Sequence, residues 1–327
     1  LDPEITIDTI ARAFPEGLPL VAFLEHPVPA VRRAAIGPAT ESGDPEALAR
    51  LSRLAEDPDP DLASAASEAA ERLSRSLPPL HFQLLGGFAV GRGGWRVGDG
   101  WGRPVDARLV RFLLANLDLP VPEDLIFEAL WPDLPASSAR SSLQVAVSRA
   151  RRVLDPAGDE ASVIESAERS YRLVLGERDA VDAERFRSAA RAALAEQGEE
   201  RQQLLEHAHS LWRGEPMPEE RYSDWATPYR ERLIDLYTES LAALVAIHEA
   251  AGAHARAAET ARDLVDLDPL NEGGHRALIA AYARSGRTGH ALRQYLECRR
   301  ALIDQLGVEP AEATSRLQAQ VLAGEPV

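Results

Sequence analysis

Lysine is absent from this 327-residue chain, whose 36 basic residues are all arginine. That removes the lysine of a nucleotide phosphate loop and any Schiff-base chemistry. Cysteine is almost as scarce. Cys298 stands alone, which excludes an intrachain disulfide and a cysteine-rich metal site, and its expected place is a buried position on a helix. Positive charge is also in short supply. A formal net charge of −16 argues against a protein that coats nucleic acid indiscriminately. No signal peptide and no apolar run long enough to span a bilayer occurs, so the expectation is a soluble, cytoplasmic chain with no membrane partner. HExxH, GxSxG and Asp-rich metal patterns are missing, and the eight histidines are scattered. His207 and His209, two apart on a helix, point to different faces. His248 and His254 straddle a helix end and read as surface or capping residues. These absences predict a chain that is not an enzyme and has no cofactor and no metal.

What is present suggests two or three domains, since 45% of the residues are apolar and the length exceeds one ordinary domain. Charge is uneven along them. Residues 1–79 have seven arginines against fourteen acids, a net −7. Residues 80–176 have eleven against twelve, a net −1, and the remainder has eighteen against twenty-six, a net −8. The middle segment alone approaches neutrality, and its arginines cluster.

The first segment repeats itself. HPVPAVRRAA at 26–35 aligns with DPDPDLASAA at 57–66, so that Pro27 meets Pro58, Pro29 meets Pro60 and Val31 meets Leu62. Upstream, Leu20 and Phe23 match Leu51 and Leu54. Each unit reads as helix, proline turn, helix, similar to a short HEAT repeat.

At SLPPL (76–80) the pattern changes to strands, HFQLLGGFAV (81–90) and WRVG (95–98). The glycines between Gly91 and Gly102 resemble a phosphate loop only superficially, because no helix follows a strand there at once; GDG reads as a hairpin turn. Helices are expected at 106–117, 122–131 and about 137–154, with Trp131 packed in the core between helices. Val163–Glu165 and Tyr171–Leu175 form a terminal hairpin. In the third helix, Leu143, Val147, Ala150 and Leu154 recur at core spacing. Ser141, Val145, Ser148, Arg149 and Arg152 project to the other side. From Arg140 to Arg152 there are four arginines and no acid. Small polar residues allow close approach to base edges, and Arg supplies bidentate contacts to guanine or phosphate. The same pattern also fits a merely solvated basic face.

Beyond Asp182 the sequence is nearly all helical. Gly252 and Gly286 lie 34 residues apart, as do Ala257 and Ala291, the period of a tetratricopeptide repeat. Proline turns at 268–269 and 309–310 end its units.

Two regions meet a known family. FQLLGGFAV, LIFEALWPD, SARSSLQVAVSRARRVL and SYRLVL resemble the OmpR-type winged helix of the antibiotic regulatory protein (SARP) family. AVDAERFRSAARAA, LWRGEPMP, DLDPLNEGGHRALIAAYARSGRTGHALRQY and LIDQLGVEP resemble its bacterial transcriptional activator domain. The resemblance runs from about residue 80 to 322. With the residue patterns it gives a mainly α fold in three parts. These are HEAT-like repeats (1–78), an OmpR-like winged helix with a small β-sheet (80–176) and a tetratricopeptide-like α-solenoid (180–324).

The resemblance implies a transcriptional activator that binds promoter direct repeats in double-stranded DNA and contacts RNA polymerase. By position, Arg140, Ser141, Gln144, Val145, Ser148, Arg149 and Arg152 match the groove-facing helix, and Arg169 and Arg172 match the wing. Residues 131–138 match the loop that engages polymerase. Three departures stand out. Ser170 replaces the usual glycine before the wing tyrosine, Ala150 replaces a core leucine, and Arg103, Arg108 and Arg111 are offset by Asp99, Asp106 and Asp118. The alternative is a protein-interaction module, with the helical repeats binding a protein or peptide and little or no DNA binding. A start at Leu1 raises the expectation of the C-terminal arm of a larger regulator, with an ATPase upstream.

Overall fold

The computed structural model describes residues 20–327 except 94, 98–100, 118, 156–162 and 199. They fall into two compact units. One holds the residues up to Val181 together with Met217–Ala226; the other holds Asp182–Pro216 and Thr227–Val327.

The first unit opens with a 3-10 helix, Leu20–Glu25, and three helices that each begin on proline: α1 (Pro29–Glu41), α2 (Pro45–Leu54) and α3 (Pro60–Ser76). Proline suits a first helical turn because its missing N–H has no partner to lose there. Asp44 and Asp59 cap α2 and α3 through side-chain oxygens. Leu24, Leu48, Leu51, Leu62 and Leu73 are the heart of a shared core. Arg32 of α1 reaches Asp57 at 2.9 Å in the turn before α3, tying one repeat to the next. Among the described residues, the first helix of the first repeat is only this short 3-10 turn.

The winged helix follows. Its four-stranded sheet has the order β3-β2-β1-β7, from β1 (Leu80–Gln83), β2 (Ala89–Arg92), β3 (Trp95–Val97) and β7 (Ala180–Val181). β7 lies parallel to β1, so the sheet extends a few residues past position 176. Arg92 pairs with Trp95, so the β2–β3 reversal falls at Gly93, where φ is +62°. This is ahead of the GDG segment expected to make the turn, which lies outside the described residues.

Helices α4 (Pro104–Ala115), α5 (Glu123–Leu130) and α6 (Ala136–Leu154) come next, with the short β4 (Val121–Pro122) before α5. Hairpin β5 (Ile164–Ala167) and β6 (Ser170–Leu173) is the wing, and β4 joins it in a sheet of order β4-β6-β5. The core face of α6 buries Ala139, Leu143, Ala146, Val147, Ala150 and Leu154. Ala150, which stands where the family has leucine, is fully enclosed in that face. Trp131 corrects the expectation: it is half-buried at a surface cleft and does not lie in the core.

Met217–Ala226 packs as a strap on the winged helix. Met217 N–H donates to the Leu84 carbonyl at 2.7 Å, and Phe88 N–H donates to Glu219 Oε1 at 2.7 Å. Glu220, only 3% exposed, accepts from Arg111 at 2.6 Å and Arg108 at 3.0 Å, and Trp225 meets Phe112 edge-on. Arg108 and Arg111 therefore share Glu220 as their partner. Of the aspartates expected to offset them, Asp106 lies instead beside Arg149 and the Arg103 N–H, while Asp99 and Asp118 lie outside the described residues.

The second unit is helical: α7 (Asp182–Ala195), α8 (Glu200–Leu211), α9 (Thr227–Ala250), α10 (His254–Leu267), α11 (Glu272–Arg284), α12 (Thr288–Leu306) and α13 (Glu312–Ala323). Gly252 and Gly286 adopt φ of +68° and +71°, in the turns just before equivalent helices, and Ala257 and Ala291 are both buried. The 34-residue period is thus a structural one. Tyr237 stacks on Trp212 and accepts or donates a 2.9 Å hydrogen bond with His209. His248 is buried, against its expected surface position, and its Nδ1 has no partner among the described residues. Cys298 is buried on α12.

Candidate nucleic-acid interface

Two carboxylates organise the outer face of the winged helix, and the sequence patterns singled out neither for the site. Glu123 begins α5, immediately after Pro122 ends a strand, and its residue is 4% exposed. Its N–H donates to the Arg169 carbonyl at 2.9 Å, fixing the helix start against the wing tip. Its carboxylate receives Arg140 Nη2 at 2.5 Å and Arg140 Nε at 3.2 Å on both oxygens. Arg169 Nε donates to the same Oε1 at 2.5 Å, and its Nη2 also pairs there. The Arg140 hydrogen bond holds the Glu123 carboxyl below the usual carboxylate range, against the upward push of burial, and Glu123 raises Arg140 in return. These residues, with Gln144 and the wing residues 166–171, line a cleft of about 540 Å³ between helix and wing.

Asp106 sits in the first turn of α4 and is 1% exposed. Oδ2 accepts from the Arg103 N–H at 2.9 Å, closing the helix start, and lies 3.8 Å from Arg149 Nη1. Oδ1 has no hydrogen-bond partner among the described residues. Gly102 leaves room for Arg149 to lie across this helix start: a Cβ there would meet Arg149 Cδ at 3.3 Å. Trp131, Ser141, Val145 and Arg149 line the resulting recess.

The remaining expected residues divide cleanly. Ser141, Gln144, Val145, Ser148 and Arg152 are exposed on one face of α6. Arg152 makes no ion pair or hydrogen bond among the described residues. Arg140, Arg149, Arg169 and Arg172 are each near an acid, Arg172 pairing with Glu165 at 2.6 Å. Arg151, the one arginine of the run not expected at the interface, is structural: it donates to the Ile164 carbonyl at 2.9 Å and so staples α6 to the wing. The wing turns at Glu168 and Arg169, with φ of +47° and +66°. Ser170 lies within β6, so the missing glycine is not the turn residue. Of the 131–138 loop, residues 132–138 are exposed.

Fold and face together define a winged helix joined to helical repeats. The comparisons make this specific. A family model described as the bacterial transcriptional activator domain matches residues 179–322, and one for HEAT repeats matches 17–80. The chain is 32% identical over 257 residues to the regulatory protein AfsR of Streptomyces coelicolor, covering 76% of this chain and 24% of AfsR. It is 30% identical to the transcriptional regulatory protein EmbR of Mycobacterium tuberculosis, covering 76% and 64%. With the transcriptional regulator RedD of Streptomyces coelicolor it shares 31% identity, over 69% of this chain and 67% of RedD. It therefore spans about a quarter of AfsR and just under two thirds of EmbR. EmbR, solved with a low affinity phosphopeptide, superposes with a TM-score of 0.60 at 28% identity, over 76% of this chain and 66% of that one. The chain belongs to the SARP-type family of transcriptional regulators.

Proposed function

We propose that this chain binds double-stranded DNA at promoter direct repeats and activates transcription in the cytoplasm, contacting RNA polymerase through the 131–138 loop. It does so in three parts, the repeats at 1–78, the winged helix at 80–176 and the solenoid at 180–324, and without catalysis. The observation that carries the reading is the exposed face of α6, where small residues and Arg152 lie beside a wing and no acid interrupts. In this mechanism α6 enters a major groove. Arg152 and Arg149 reach guanine edges or phosphates, Val145 meets a thymine methyl and Gln144 an adenine. Arg169 and Arg172 hold the flanking backbone.

A second reading has an observation of its own: four of the five arginines assigned to the interface are already near acids, which weakens phosphate attraction. A protein-interaction module would need no more than that, with the helical repeats taking a peptide. Selection from random duplex DNA, followed by titration of the enriched duplex, separates the two. Sequence-specific binding predicts enrichment of a spaced repeat and a loss of about 1–3 kcal/mol for Arg152→Ala. No enrichment at low salt would favour the interaction module.

A further inference from the structure

We propose that Glu123 is the positioning residue of the interface, turning Arg140 and Arg169 into one rigid clamp for a single DNA phosphodiester. The inference rests on the DNA-binding reading above. Arg140 comes from the start of α6 and Arg169 from the wing tip, 29 positions apart in sequence. Both converge on Glu123 Oε1. Two guanidinium groups on one carboxylate leave a net charge of +1, the complement of one phosphodiester. Each keeps an outward edge, with side-chain exposure of 40% for Arg140 and 66% for Arg169. The cleft between them is open, and Gln144 and Ser170 add polar groups to its lining.

The carboxylate does a second job. Free arginines on a wing and on a helix would each take any phosphate within reach, and a duplex would bind in many registers. Anchored to a buried acid, they accept a backbone at one place relative to α6. Phosphate contacts of this kind set register, and base contacts then read sequence. Glu123 thus lowers indiscriminate affinity and raises discrimination.

This predicts opposite effects on two probes. The full chain and its Glu123→Gln variant are titrated over a salt series with the duplex enriched by selection and with a scrambled duplex of equal composition. Releasing one positive charge should steepen the salt dependence by about 0.9 in log K against log salt. The scrambled duplex should bind about fivefold tighter at low salt, and the ratio between the two duplexes should shrink about tenfold. Equal weakening of both with unchanged slope would mean a merely structural carboxylate, and no change at all would also overturn the clamp. If Glu123→Gln melts below the assay temperature, Arg169→Asn replaces it, since asparagine tolerates the positive φ of the turn. It leaves a neutral Arg140–Glu123 pair, so the slope should become shallower by about 0.9; an unchanged slope would sink the proposal. A wild-type chain that enriches no duplex would instead overturn the DNA-binding reading, and the clamp with it.

Discussion

Glu123, Glu220 and His248 are all ionisable and nearly out of water, yet their situations differ. The two carboxylates are met by arginines, Glu123 by Arg140 and Arg169 and Glu220 by Arg108 and Arg111. His248 has no partner for Nδ1 among the described residues, and burial, helped by Arg256, pushes its pKa below the ordinary 6.5, with Glu206 opposing. The unfolded chain therefore binds more protons than the folded one once the pH drops under about 6.5, and stability falls from there downward. Glu123 also loses its contribution as pH falls, but only below about 4.5, its ordinary value, and through its depressed folded value. Thermal midpoints measured between pH 5 and 8 should separate them. His248→Gln should flatten the decline between pH 6.5 and 5.5 relative to wild type; parallel curves would show that His248 is not the group responsible.

At the level of elements, the wing hairpin carries a two-residue turn whose central residues both have positive φ, the type that favours Asn and Gly. Glutamate at 168 is a poor fit to it. Glu168→Asn should stabilise the chain by about 0.5 kcal/mol in urea unfolding, in keeping with the small gains of conformationally matched turn residues; a destabilised variant would mean that the turn relaxes to another form. Much at this scale was readable beforehand because its causes are local. Proline and aspartate mark where α2 and α3 start, and the spacing from Leu143 to Leu154 marks the buried face of α6. A 34-residue recurrence of Gly and Ala marks the solenoid. The site's wiring was not readable. Glu123 finds its partners 17 and 46 positions away, and nothing about an acid at a helix start distinguishes it from an ordinary dipole-complementing residue. Trp131 misled for a related reason: a large apolar side chain at a helix end is usually interior, but here it borders the recess under Arg149.

On the scale of the whole molecule, the strap is the feature that composition and periodicity missed. LWRGEPMP (211–218) belongs to a family pattern, but nothing in it marks its last two residues as the start of a segment, Met217 to Ala226, that packs with the winged helix. Glu220→Ala would leave Arg111, with a side chain only 10% exposed, buried beside no acid. Breaking such a pair costs about 3–5 kcal/mol, which chemical denaturation of the full chain should register. A loss below about 1 kcal/mol would mean that the strap is dispensable. The strap also bears on how such chains can be recombined. The polypeptide passes from the first unit to the second after Val181, returns for Met217–Ala226, and crosses once more. The two units are therefore interleaved along the sequence. A hybrid regulator joined at residue 176 or 180 would give its winged helix a foreign strap, or none. Grafts that carry residues 217–226 along with residues 80–181 are the ones that keep Arg108 and Arg111 matched to their own acid.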